Sequence, residues 1–296
     1  MKKVGLDILV FTFFIMIFSC YTYVVAEQIV FVANIDSNWD IFIMKDDGSH
    51  CKQLTKTPFD ERFPCISNDR NQIVYSLSDG NLGIINLKNK NKEILQIPEG
   101  PFNHPRWLSK GKSIIFTAFS FDGLDKEGGD LWQYDIESKA LNKTLKQSGT
   151  QLFPTCSESG KIIYSLALSG PQLQISHQIW IYNSEKQKAN QLFIGHYNDI
   201  HPDISPNEDQ IVFASDRAGK YDLWLFYLIE NRFEQLTDDL ATDMNPVFSP
   251  DGKKVLFISN RTGHYELLEM NLLNRRIKSV LPFGDKNVEI REPYWR

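Results

Sequence analysis

The sequence predicts an all-β fold, a six-bladed β-propeller of four-stranded blades, and three observations carry that expectation. The first is a repeated unit. Residues 245–281 read NPVFSPDGKKVLFISNRTGHYELLEMNLLNRRIKSVL, and residues 199–237 read DIHPDISPNEDQIVFASDRAGKYDLWLFYLIENRFEQLT. Each holds four short apolar segments separated by turn residues, too little chain to bury its own faces. The second is the period. Pro64, Pro105, Pro154, Pro202, Pro246 and Pro293 lead successive units at spacings of 41, 49, 48, 44 and 47 residues, the length of a four-stranded blade. The third is the pair of chain ends. After Gln28 the chain begins at a second strand, IVFVAN, and it stops after a first strand, VEIREPYWR. The two fragments complete one blade, which closes the ring and removes the open strand edges an array would carry.

Taken from the N-terminus, residues 1–26 are a separate object. Lys2 and Lys3 precede an apolar run from Ile8 to Phe18, and Val24-Val25-Ala26 offers a small residue for cleavage, the layout of a secretory signal peptide. Two alternatives are a lipoprotein signal, with Cys20 as the lipidated residue after Ile17-Phe18-Ser19, and a retained anchor over Ile8–Ala26. All three place residues 27–296, the propeller, outside the cytoplasm. Blade one follows as IVFVAN, WDIFIM and CKQLT. Blade two is led by FPCISNDRNQIVYSL, blade three by HPRWLSKGKSIIFTAF and blade four by FPTCSESGKIIYSLAL. Blade three carries an insertion, FSFDGLDKEGGD, and blade four a longer apolar one, LALSGPQLQISHQ; the two are expected to form part of a partner surface on one face. Asp122, Asp125, Glu127 and Asp130 do not have the spacing of a regular calcium loop, so a solvated loop is expected.

Composition removes several function classes. The formal net charge of −5 becomes −6 without residues 1–26, which carry Lys2, Lys3 and Asp7, and no Lys/Arg block appears, so nucleic acid is not an expected partner. Cys51, Cys65 and Cys156 remain beyond the leader. Their odd number, and the separation of Cys65 and Cys156 into blades that are not neighbours, imply small buried thiols and no disulfide framework. Gly111-Lys112-Ser113 has the tail of a phosphate loop, but Arg106 stands where its first glycine belongs and a strand follows where a helix is needed. Asn142-Lys143-Thr144 and Asn260-Arg261-Thr262 are sequons that matter only in a eukaryotic secretory host.

The units SPDGKKVLFISNRTGHYEL and SPNEDQIVFASDRAGKYDLW, with QLT at Gln53–Thr55 and Gln235–Thr237, resemble the TolB-type propeller repeat, a relative of the WD-type repeat. The resemblance runs from Ile29 to Arg296. It implies the propeller without the α/β domain that precedes it in TolB, and it implies an envelope setting. It is specific for fold and poor for function, because such propellers serve envelope proteins, peptidases and lyases alike.

Two sets of recurring residues are candidates for chemistry. Asp40, Asp130, Asp222 and Glu266 open the third strand of their units; repetition in four blades argues against catalysis and for hydrogen bonding, to loop backbone or to Arg217 and Arg261. Trp132, Trp180 and Trp224 are expected to pack between blades. The residues before the leading prolines, Phe63, His104, Phe153, His201, Asn245 and Glu292, are expected at one mouth of the central channel, extended by Asp199 and Asp243. His104, His201, Asn245, Glu292, Asp199 and Asp243 form the candidate binding site, for a cationic peptide group or a divalent metal. No catalytic residue and no resident cofactor is expected. The leading functional expectation is a monomeric, non-enzymatic envelope scaffold for a protein or peptide, with membrane contact only through its N-terminal segment. The alternative is a metal-dependent carbohydrate enzyme of the oligogalacturonate lyase type.

Overall fold

A computed structural model describes residues 27–296, apart from residues 99, 109–110, 120–127, 146, 170–174, 281 and 285–287. The leader, with Cys20, and the middle of both insertions therefore lie outside the described residues.

The apolar runs become strands, and six antiparallel four-stranded sheets result. Blade one holds β1 (Gln28–Ile35), β2 (Asn38–Lys45) and β3 (Lys52–Gln53); blade two holds β4 (Glu61–Ile66), β5 (Gln72–Leu77), β6 (Leu82–Asn86) and β7 (Lys92–Ile94). Blade three is β8 (Phe102–Trp107), β9 (Ser113–Phe119), β10 (Gly129–Asp135) and β11 (Leu141–Lys143). Blade four is β12 (Thr150–Cys156), β13 (Lys161–Ser169), β14 (Ile175–Asn183) and β15 (Lys188–Gln191). Blade five is β16 (Asp199–Ile204), β17 (Gln210–Ser215), β18 (Asp222–Tyr227) and β19 (Arg232–Gln235). Blade six is β20 (Asp243–Phe248), β21 (Lys254–Ser259), β22 (Glu266–Asn271) and β23 (Ile277–Ser279). The last strand, β24 (Ile290–Trp295), joins β1 as the innermost strand of blade one and packs between β20 and β4, so the ring closes as expected. Gln28 N donates to Arg296 O at 2.7 Å and Arg296 N to Gln28 O at 2.9 Å. The insertion of blade four is partly strand: β13 and β14 pair over nine residues each, three more than in blades five and six.

Every innermost strand carries the same irregularity. The register of β4, β8, β12, β16, β20 and β24 against its neighbour slips by one residue at the leading proline. Such a bulge suits proline, which has no N–H to give to the ladder. The residue before each proline takes the left-handed conformation, with φ between 50° and 53° in all six. Opposite the bulges stand Tyr75, Phe116, Tyr164, Phe213, Phe257 and Phe31, all among the largest fully buried side chains. One buried aromatic ring per blade stands opposite the extra residue.

Three of the four recurring acids of the third strand are held within their own blades, while Glu266 is buried with its Oε1 unpartnered. Asp40 accepts from Gln53 Nε2 at 2.9 Å, and Asp222 from Gln235 Nε2 at 3.3 Å, so the Gln of QLT answers the third-strand Asp. The Thr of QLT accepts from Ile41 N at 2.8 Å and Leu223 N at 3.0 Å. Asp130 pairs with Lys143. Arg217 and Arg261, expected to reach these acids, instead reach Asp199 at 2.7 Å and Asp243 at 3.3 Å, because the Ser-x-Arg turn lies over the start of its own blade's innermost strand. Trp132, Trp180 and Trp224 each pack, partly buried, against a hydrophobic cluster.

Strand direction defines two faces. The innermost strands begin at face A and end at face B. Face A therefore carries the turns between second and third strands and the links between blades. Face B carries the turns after the innermost strands and the hairpins between third and fourth strands.

Candidate functional site

The bulges decide what lies on the axis. With its φ near 50°, each pre-proline residue turns inward, and the residue after the proline lines the channel in every blade but the second, where Cys65 is fully buried. Two tiers result. The upper tier is Phe63, His104, Phe153, His201, Asn245 and Glu292; the lower is Arg106, Thr155, Asp203, Val247 and Tyr294.

In the upper tier four rings make a contiguous arc. Phe63 meets His104 with centroids 4.2 Å apart, His104 meets Phe153 at 4.3 Å, and Phe153 meets His201 at 4.2 Å, all edge to face. Such contacts add about 1 kcal/mol each beyond the area they bury. Burial among these rings, and then the charge of Arg106, holds His201 down to about 3; burial, and then the nearby His201 and Arg106, holds His104 well below its usual range. Both imidazoles are neutral near pH 7, and both Nδ1 atoms are buried without a hydrogen-bond partner.

Glu292 closes the arc from the other side. Its carboxylate is buried, pairs with Arg62, and accepts from Arg62 Nε at 2.9 Å and from Phe63 N at 2.6 Å. The guanidinium of Arg62 also lies 5.1 Å from the Trp39 ring. Glu292 is thus committed across the seam between blades one and two. Asp199 and Asp243, at the face A ends of their strands, are committed to Arg217 and Arg261. Of the six candidates, His104 and His201 share one ring cluster, Asn245 and Glu292 line the same small cavity as His201, and the two aspartates stand apart as ion pairs. Among the described residues no group of three or more His, Cys, Asp or Glu side chains is arranged to hold a metal ion.

The lower tier was not singled out in the sequence, although the same proline spacing marks it. Asp203 accepts from Thr155 Oγ1 at 2.9 Å and Phe248 N at 2.8 Å, and burial raises its pKa. Arg106 stacks over Tyr294 at 5.5 Å and donates to the Pro105 carbonyl at 3.0 Å. Between the tiers lies a cavity of about 30 Å³, room for about one water molecule. Below it the channel widens at face B into a funnel of about 420 Å³, where Arg296 bonds Asn68 at 2.6 Å and Glu158 at 2.7 Å.

Face A is acidic. Asp36, Asp79, Asp238, Asp239 and Glu289 are exposed in its turns and links, against Lys56. Leu240 and Ile194, almost fully exposed, stand on the same face. A cleft of about 740 Å³ opens there over blades two and three, between Arg62, Asp79 and Phe102. The centres of the insertions, residues 120–127 and 170–174, lie outside the described residues, so the partner surface expected on them is not described.

Residues 174–292 match the family described as the TolB beta propeller domain. No curated protein matches the chain. Among solved structures, TolB from Acinetobacter baumannii is similar with a TM-score of 0.75 at 20% identity, over 90% of this chain and 66% of that one. The chain thus spans just under two thirds of the length of that protein. A putative TolB from Agrobacterium tumefaciens aligns with a TM-score of 0.70 at 16% identity, over 90% of this chain and 98% of that one. An oligogalacturonate lyase in complex with manganese is more distant, at a TM-score of 0.60 and 12% identity, over 85% of this chain and 73% of that one. At these identities the likeness is one of fold.

Proposed function

We propose that the chain, whose residues 174–292 match the TolB beta propeller domain family, is an exported, non-enzymatic scaffold that binds a protein or peptide through face A. The observation that carries this reading is the character of that face: exposed carboxylates around Leu240 and Ile194, above an axis filled by rings. A cationic segment with an apolar side chain or two is the partner this surface suits. Export is supported by the layout of residues 1–26. Against an enzyme stands the state of the imidazoles: His104 and His201 are wedged among phenyl rings, and among the described residues no acid bonds their buried Nδ1 atoms.

The test is cross-linking in the native host. A photoreactive residue at position 240 yields a discrete protein adduct on this reading. No adduct from position 240 or 194, with the protein folded and exported, overturns it. The carbohydrate-enzyme alternative predicts a stoichiometric divalent metal in the purified protein, which elemental analysis reads directly.

A further inference from the structure

The opposite face has a different chemistry. The hairpin tips between third and fourth strands are polar in blades one to four, at Asp46-Asp47, Lys88-Asn89-Lys90, Glu137-Ser138-Lys139 and Ser184-Glu185-Lys186. In blades five and six they are not: Ile229 is 84% exposed and Leu273 94%. Neither side chain packs on the fold. Arg275, on the hairpin of blade six, pairs with Glu234 of β19, so the two apolar tips belong to one patch. Arg232, Arg276 and Lys278 flank it. Its acids are largely answered: Glu234 also pairs with Arg232, and Glu269 with Lys254 and Lys278, leaving Glu230 at the tip of blade five.

We propose that face B docks on an anionic lipid surface, with Ile229 and Leu273 reaching the boundary between headgroups and acyl chains. Exposed apolar tips set among Arg and Lys have the composition that binds such interfaces. The origin of the chain points the same way. Gln28 bonds Arg296 at face B, in the blade next to blade six, so the described chain begins on this side. Cys20 lies seven residues before Glu27, a reach of roughly 25 Å when extended. A tether at Cys20, or an anchor ending at Ala26, would therefore hold face B toward the bilayer. Face A also exposes apolar residues, but Leu240 follows Asp238 and Asp239, which an anionic surface repels. The proposal takes its cellular setting from the export reading above. Its chemistry stands apart from any partner on face A.

The experiment is vesicle co-sedimentation with residues 27–296, whose ring closes within those residues, so that insertion of the leader cannot mimic binding. Vesicles of phosphatidylcholine with and without phosphatidylglycerol are compared. The expected result is binding to the phosphatidylglycerol vesicles that weakens with salt. Leu273→Ser with Arg276→Glu lowers the partition coefficient by roughly tenfold or more. Leu240→Ser on face A leaves it unchanged. All these side chains are exposed, so melting temperatures stay level and loss of fold is separable. Absence of binding to phosphatidylglycerol vesicles overturns the proposal. So does binding that the double substitution leaves intact, or that Leu240→Ser reduces equally. Failure of the cross-linking test on face A would leave this result untouched.

Discussion

At the scale of single residues, the starts of the innermost strands show how one position is solved in different ways. Asp199 and Asp243 each meet the Arg of a Ser-x-Arg turn. Blade two has Glu61 at the same position, but its turn reads Ser76-Leu77-Ser78-Asp79 and supplies no arginine. Glu61 is fully buried beside Asp40, accepts from Thr57 Oγ1 at 2.5 Å, and has a second oxygen without a partner. Burial, with Asp40 adding to it, raises its pKa from 4.5 to about 7. A carboxyl whose pKa is higher in the folded state prefers its proton there. Its stabilising contribution is complete below pH 4.5 and is lost as pH rises through 7. Glu61→Gln should therefore raise the melting temperature above pH 7, on the order of 2 kcal/mol in stability, and do little in acid. A melting curve for the variant with the same pH dependence as the parent would contradict this assignment.

A second residue-scale prediction concerns His201. Its ring already behaves as a neutral member of the aromatic arc, with a buried Nδ1 that bonds nothing. His201→Phe should keep the fold and raise stability by about 1 kcal/mol, since an unpaired buried acceptor costs about 1–3 kcal/mol. A fall in melting temperature would show that the imidazole has a partner in solution, such as a water between the tiers.

At the scale of the element, the informative unit is the bulged innermost strand with the aromatic that faces it. Phe213→Ala empties a fully buried site against Phe193 and Phe233 and should cost about 3–5 kcal/mol, read from denaturant midpoints. This unit also marks where sequence reading stops. The prolines were legible as a period, and so were the strands, because each is an apolar run between turn residues. The upper tier of the channel was legible from the same prolines; the lower tier was not. That depends on a left-handed residue and a slip of one register position, and the slip brings a second tier, with Arg106 and Asp203, onto the channel wall. Nor could the sequence say that Glu292 would be claimed by Arg62, more than two hundred positions away in the chain, or that Arg217 would choose Asp199 over Asp222. Pairings of this kind follow from the stacking of neighbouring turns and are invisible to spacing alone.

At the scale of the whole molecule, closure by β24 is the feature on which the ring depends. Removing Glu289–Arg296 strips β1 of one of its two partners, exposing the buried Ile29, Val30 and Val32, and deletes the buried Trp295. Loss of Tyr294 and Trp295 alone forfeits roughly 3–6 kcal/mol, comparable with the whole net stability of many domains, about 5–15 kcal/mol. The truncated chain should melt far lower or precipitate. An unchanged melting temperature would mean that blade one holds without its innermost strand.

The pairing of β1 with β24 also has a kinetic side. Every other neighbouring pair of strands within a blade is joined by a short connection or an insertion of modest length, whereas this pair closes a loop that includes all the other blades. Because the entropy of loop closure grows only with the logarithm of length, the extra cost over a hairpin is roughly 3 kcal/mol. That cost falls on bringing the two ends together from the unfolded chain, so this pair is the last to form and, with no hairpin joining its strands, the first to open. Amide protons of β24 and its partners on β1 should then exchange with solvent sooner than those bonding β16 to β17, a gradient that hydrogen exchange would resolve along a ring whose blades otherwise look alike.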